Sequence, residues 1–126
     1  QKRRIDIVNK YIQGLGSIDG LILPELEKRH AWHLFVIQLK NEHWTISRNE
    51  FIEKINQNGI GLAVHYKPIH ALSYYKENYD LEQNQFPRAN SLFQSVVTLP
   101  LYPRLTDAEV DYIINSIQAL SKRYSK

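Results

Sequence analysis

Apolar residues recur at helical spacing near both ends of the chain and at strand spacing between them. Ile5, Val8, Ile12 and Leu15 predict a helix over residues 2–13, stopped by Gly14 and Gly16. A charged connector, residues 17–30, contains Pro24. Trp32 to Leu39 is apolar at almost every position, which predicts a strand covered on both faces. Asn41 to Ile46 reads as a polar loop. Ser47 with Glu50 forms a capping box, opening a helix through Phe51, Ile52 and Ile55 that Asn58-Gly59 ends. Residues 60–66 predict a second strand, with Ile60, Leu62, Val64 and Tyr66 on one face. Gly61, Ala63 and His65 share the other, nearly bare face, where a ligand or another chain can approach closely.

A short helix is expected over Ala71 to Tyr79 and a polar irregular stretch over Glu77 to Gln85. Another helix starts at Pro87, with Ala89, Leu92 and Phe93 on its buried side. Val96 to Leu99 predicts a strand, and Pro100 and Pro103 forbid regular structure between them. Thr106 and Glu109 make a second capping box. Val110, Ile113, Ile114, Ile117 and Leu120 form the apolar stripe of the last helix. The expected fold is α+β (α/β layered): a small three-stranded sheet with helices mainly on one face. The unit 32–39, 48–58, 60–66 fits a right-handed parallel crossover, and its short links equally allow a mixed sheet.

The 126 residues fit one domain with its own core. No cysteine is present, which excludes disulfides and thiolate metal sites. Methionine is absent too and the first residue is Gln1, so a processed N-terminus or a piece of a longer chain is expected. The net charge is +3, but Lys2, Arg3, Arg4, Lys122, Arg123 and Lys126 sit at the ends and read as solvated termini. Without those six the balance is −3. That argues against a nucleic-acid partner, which wants a basic stripe across a folded face. No apolar run approaches the roughly 20 residues that span a bilayer.

His65 and His70 flank a proline at the end of the expected second strand, with Tyr66, Tyr74 and Tyr75 nearby. Imidazole and phenol groups so placed can hydrogen-bond a ligand or bind an anion. The plainer reading makes both histidines partly exposed surface residues. A metal site would need a third ligand; His33 lies mid-strand, and no carboxylate follows a metal spacing. Gly14-Leu15-Gly16 follows a helix and lacks the third glycine of a dinucleotide loop.

Several segments in order carry a resemblance. They are His30-Ala31-Trp32-His33-Leu34-Phe35-Val36-Ile37-Gln38-Leu39, Ser47-Arg48 to Phe51, and Asn58-Gly59-Ile60-Gly61. Val64-His65-Tyr66-Lys67-Pro68-Ile69-His70 with Tyr74-Tyr75 follows. Phe86-Pro87-Arg88-Ala89, Leu99-Pro100-Leu101-Tyr102-Pro103 and Thr106 to Glu109 complete the set. Together they resemble the C-terminal small domain of the DegT/DnrJ/StrS sugar aminotransferases, pyridoxal-phosphate (PLP) enzymes of the aspartate aminotransferase fold. Lys67 departs from the apolar residue common there.

The resemblance implies that residues 1–126 are that small domain, with residues 1–16 a helix leading in from a large PLP domain. It implies transfer of an amino group from glutamate to a nucleotide-linked sugar, for surface polysaccharide or glycan precursors. The variant looks closest to C4-aminotransferases of UDP-linked 4-keto-6-deoxy amino sugars. His65, Tyr66 and His70 would bind substrate in a cytoplasmic homodimer without nucleic-acid or membrane partners. No lysine here stands in the context of the family's Schiff-base lysine, so PLP would be held mainly by the large domain and this chain alone would be inactive. The rival reading is a stand-alone α/β ligand-binding or interaction module.

Overall fold

Two capping boxes set where two of the helices begin. The hydroxyls of Ser47 and Thr106 accept from the backbone N–H of Glu50 and Glu109, while each glutamate accepts from the backbone N–H of its cap residue. In a computed structural model, which describes residues 1–27, 29–79 and 81–126, the elements run in this order: α1 Lys2–Leu15, β1 Leu21–Ile22, β2 Phe35–Leu39, α2 Arg48–Asn56, α3 Ser73–Tyr79, α4 Pro87–Ser95, β3 Val96–Leu99 and α5 Asp107–Tyr124. Lys28 in the expected connector and Asp80 in the polar stretch 77–85 lie outside the described residues.

The three strands form one antiparallel sheet in the order β1-β2-β3. Phe35 pairs with Leu99 and Ile37 with Val97, which puts these four side chains on one face. They join Ile7, Val8, Tyr11 and Leu15 of α1, Phe51 and Ile55 of α2 and the stripe of α5 in a single core. All five residues expected on the α5 stripe are buried, each worth roughly 1.5–3 kcal/mol on transfer from water. The helices thus cover mainly one face of a three-stranded α+β sheet.

Other expectations change. Residues 60–66 are not a strand: a single antiparallel bridge joins Ala63 to Thr98 of β3. The third strand is the two-residue edge β1 inside the expected connector, so the parallel crossover and the mixed sheet both give way to an antiparallel meander. Strand β2 starts at Phe35 rather than Trp32, and only one of its faces is fully buried; Val36 and Gln38 are half-buried. The ring of Trp32 is buried instead at a backbone φ of 47°. The expected polar loop 41–46 contains the buried Trp44. Its indole N–H donates to the Gly20 carbonyl (2.8 Å), and its backbone bridges Ser125.

On α1, Ile5 is exposed, and Ile7 and Tyr11 join Val8 and Leu15 in the core. Gly14 does not stop the helix: α1 continues to Leu15, and a Cβ at Gly14 would lie 2.6 Å from Ile114 of α5. Gly16 caps the helix in the ordinary right-handed region. The positive φ belongs to Gly59 (78°) in the turn after α2, where glycine carries no Cβ penalty. Ala89 and Leu92 of α4 are exposed and Phe93 is half-buried, against the expectation of a buried face. A turn over Ile69–Ala71 precedes α3.

Arg3 and Arg4 are not solvated ends. Arg3 bonds the Leu105 carbonyl and Asp107. Arg4 donates through Nη1 to the carbonyls of Trp32 (2.9 Å), His33 (3.2 Å) and Leu101 (3.3 Å). Tyr11, on the same helix, donates its hydroxyl to the Pro100 carbonyl (2.8 Å). Burial, helped by the neighbouring Tyr102, holds its phenol well above the ordinary range. These contacts fasten α1 to both segments that flank the sheet.

The caps make acid stability a measurable quantity. Hydrogen bonds from the Ser47 backbone and hydroxyl hold the Glu50 carboxyl below its usual range. Thr106 does the same for Glu109, and the Arg3 hydrogen bond for Asp107. A carboxyl whose folded value lies below its unfolded one stabilises the fold fully above the unfolded value, about pH 4. That contribution disappears as pH falls through the folded value. The urea midpoint is therefore expected to drop between about pH 5 and pH 3. In Glu50→Gln/Glu109→Gln, which can still cap but cannot titrate, the drop should be smaller. An equal drop would rule the caps out as its source.

Candidate functional site

Thr98 is the one polar residue of a strand whose four residues are all buried. Its backbone N–H donates to the Ala63 carbonyl (2.8 Å), and its carbonyl accepts from the Ala63 N–H (3.3 Å). This bridge lays residues 60–66 along β3. Ile60 and Leu62 turn into the core, while Gly61 and Ala63 stay exposed and a Cβ on Gly61 would meet open space. The bare face read from the alternation is present, without a regular strand beneath it.

His65 follows on that face, half-buried, with Nδ1 2.9 Å from the Thr98 hydroxyl oxygen. Its ring meets that of Tyr66 edge-on at 4.8 Å. The His65–Tyr66 peptide bond is cis. Tyr66 is 72% exposed, and Lys67 beside it is exposed as well.

His70 is placed differently. It sits in the turn before α3 and is 5% exposed. Its ring stacks on Phe86 at 4.6 Å, and its Nε2 lies 2.7 Å from Oδ1 of Asn90. Since that oxygen only accepts, Nε2 carries the donated proton. His70 thus ties the turn before α3 to the first turns of α4. The two histidines hold separate partners: His65 is built on the sheet, and His70 holds the helical segment beyond it. Tyr75 of α3 is half-buried and Tyr74 is 63% exposed.

Between residues 66 and 92 much of the apolar surface is open. Tyr66, Ile69, Tyr74, Tyr79 and Leu92 are between 48% and 72% exposed. A concentration of this kind marks a contact surface. A hollow of about 290 Å³ reaches this segment at Ile60 and Gly61 and is lined also by Pro100, Tyr102 and Tyr112, and another of about 500 Å³ is lined by Ser17, Asp19, His43, Lys122 and Lys126, among others. Among the described residues no group of three or more His, Cys, Asp or Glu side chains is arranged to hold a metal ion, and no helix is long and apolar enough to cross a membrane. Arg48 donates to the Val96 carbonyl (3.1 Å) and lies over the Phe93 ring, and its buried Nε has no partner among the described residues.

Thr98, Asn90 and Phe86 escaped the sequence reading as partners of the histidines. The available signal was Thr98 itself, a hydroxyl inside Val-Val-Thr-Leu, because a buried polar group needs a partner.

The family model for DegT/DnrJ/EryC1/StrS aminotransferases matches residues 1–118. The chain belongs to that family. It is 34% identical over 125 residues to the spore coat polysaccharide biosynthesis protein SpsC of Bacillus subtilis, covering 97% of this chain and 32% of SpsC. Among solved structures, the PLP-form of Spr1654 from Streptococcus pneumoniae, a candidate sugar aminotransferase, superposes with a TM-score of 0.84 at 30% identity. That match covers 97% of this chain and 31% of Spr1654. DesV of S. venezuelae, solved with a ketimine intermediate, gives a TM-score of 0.84 at 26% identity over 97% of this chain and 32% of DesV. The chain spans about a third of the length of each of these relatives.

Proposed function

We propose that residues 1–126 are the C-terminal small domain of a PLP-dependent aminotransferase. That enzyme would move an amino group from glutamate to the keto group of a nucleotide-linked sugar, at C4 of a UDP-linked 4-keto-6-deoxy amino sugar, in making surface polysaccharide or glycan precursors. The observation that carries the reading is the shelf at the end of β3. A partly exposed imidazole and an exposed phenol stand beside bare backbone, and the surrounding apolar side chains lack a cover. Such a surface is one wall of a cleft, with the opposite wall supplied by the rest of the enzyme. The PLP and ketimine forms of the relatives and the polysaccharide role in the name of SpsC support the cofactor and substrate class.

The residues of this shelf do not themselves suit PLP. The cofactor needs a Schiff-base lysine and partners for its phosphate and ring nitrogen. Lys67, the lysine of the motif, is exposed on the surface. The cofactor therefore belongs to the other wall, and this chain alone turns over nothing. His65 and Tyr66 contact the sugar nucleotide, and His70, through Asn90 and Phe86, holds the segment that frames the pocket. Helix α1, sharing its core with α5, belongs to this unit while leading in from the large domain, and the complete enzyme works as a homodimer.

The test uses the complete protein that carries this chain. His65→Ala with His70→Ala is expected to lower kcat/KM for the sugar by about 10–100-fold, a loss of transition-state binding of about 1.4–2.8 kcal/mol. An unchanged kcat/KM would overturn the assignment.

A further inference from the structure

We propose that Thr98 is a positioning residue: its hydroxyl donates to Nδ1 of His65 and fixes that imidazole as the Nε2–H tautomer, so that His65 presents an N–H donor to an oxygen of the substrate. The functional half of this statement rests on the aminotransferase reading above; the tautomer half does not.

Both backbone groups of Thr98 are spent on Ala63, and Thr98 is 5% exposed. Among the described residues, the only partner of its hydroxyl is Nδ1 of His65, at 2.9 Å. The side chains directly opposite it, Val36 across the ladder and Ala63 across the bridge, are apolar and offer no acceptor, and Gln38, diagonal to it on this face, makes no hydrogen bond to it among the described residues. If Nδ1 carried the proton, the Thr98 hydroxyl would have to accept, and its own hydrogen would be left in a buried place with nowhere to go. A buried donor without an acceptor is rarer and costlier than an acceptor with a spare lone pair. The hydroxyl therefore donates, Nδ1 accepts, and the proton of the neutral ring sits on Nε2.

Nε2 has no protein partner among the described residues, and the half-buried ring stands next to exposed Tyr66 and bare Ala63. An unpartnered N–H at that place suits a phosphate or sugar oxygen and disfavours a group that must donate. The register of the bridge delivers this geometry. Pairing residue 63 with residue 98 brings residue 65, on the same face, within reach of the Thr98 side chain.

The experiment is long-range proton–nitrogen NMR on the nitrogen-15-labelled chain, about two pH units above the ordinary imidazole value of about 6.5. In the wild type and in Thr98→Ser, His65 is expected as the Nε2–H form. In Thr98→Val the tautomer ratio should move about tenfold towards Nδ1–H, equivalent to about 1.4 kcal/mol. Dominant Nδ1–H in the wild type, or a ratio unmoved in Thr98→Val, overturns the proposal. Should Thr98→Val not fold, the first two spectra decide: Nε2–H in both supports the proposal, and Nδ1–H in either overturns it.

In the complete enzyme, Thr98→Val should raise KM for the sugar about tenfold with kcat within about twofold, and Thr98→Ser should restore it. A purely structural threonine would not give that split. If the spectra are as expected but His65→Ala leaves kcat/KM unchanged, the tautomer assignment stands and the substrate-site reading falls.

Discussion

Trp44→Ala is expected to destabilise the chain by about 3–5 kcal/mol, the usual cost of truncating a buried aromatic residue. The side chain is 3% exposed and meets Phe51 of α2 edge-on at 5.2 Å. Its indole N–H holds the Gly20 carbonyl, and a Cβ on Gly20 would stand 2.6 Å from that nitrogen. The indole fills its space so closely that truncation leaves a void, and it also removes one of the two donors to the Gly20 carbonyl, which keeps the Lys40 N–H at 2.9 Å. A domain of this size has about 5–15 kcal/mol in total, so the variant should lose a large part of its margin. The measurement is the urea midpoint, which should fall with an unchanged slope. Trp44→Phe, which keeps an aromatic ring but loses the pyrrole part of the indole with its N–H, should cost less than Trp44→Ala, about 1–2 kcal/mol. A loss below about 1 kcal/mol for Trp44→Ala would show that the surrounding residues collapse into the void.

Arg4→Ala comes next, at about 2–4 kcal/mol, since hydrogen bonds to a charged group contribute about 1.5–3 kcal/mol. One guanidinium nitrogen reaches the carbonyls of Trp32, His33 and Leu101. Trp32 stands at a positive φ that a bulky residue avoids, a strain of order 1–3 kcal/mol. Its backbone N–H is tied to Nδ1 of His30 (2.9 Å) and its carbonyl to Arg4. Without Arg4 that conformation loses one of its two ties. Arg4→Lys should recover only part of the loss, because an ammonium cannot reproduce the planar fork. Full recovery by lysine would mean that charge alone matters. Thermal unfolding of the three proteins side by side separates these outcomes.

These two residues also show where sequence reading reaches its limit. The capping boxes and the α5 stripe were legible because their partners lie within a few residues. Trp44 was not, because the polar residues around it suggest a loop and its partner Gly20 is remote. The alternation of 60–66 correctly grouped Ile60 with Leu62, both buried, and Gly61 with Ala63, both exposed, but it also grouped Tyr66 with the first pair, and Tyr66 is exposed. It could not reveal that only Ala63 pairs with β3. Strand β1 is too short to show a period at all. At the site, the spacing of His65 and His70 was visible, but their difference was not. Thr98 and Asn90, which give one imidazole a free edge and the other a buried post, stand 33 and 20 residues away.

The packing of α1 against α5 has a consequence for synthesis. Lys10 pairs with Asp111, and Gln118 donates to the Gly14 carbonyl, across about a hundred positions of chain. Within this unit α1 therefore leaves the ribosome about a hundred residues before α5, the helix it packs against. Closing so long a loop is costly in entropy, and contacts this remote slow folding. During translation Tyr11 can meet Phe35 of β2 early, but the core that Ile7, Val8 and Leu15 share with α5 closes only when α5 has emerged.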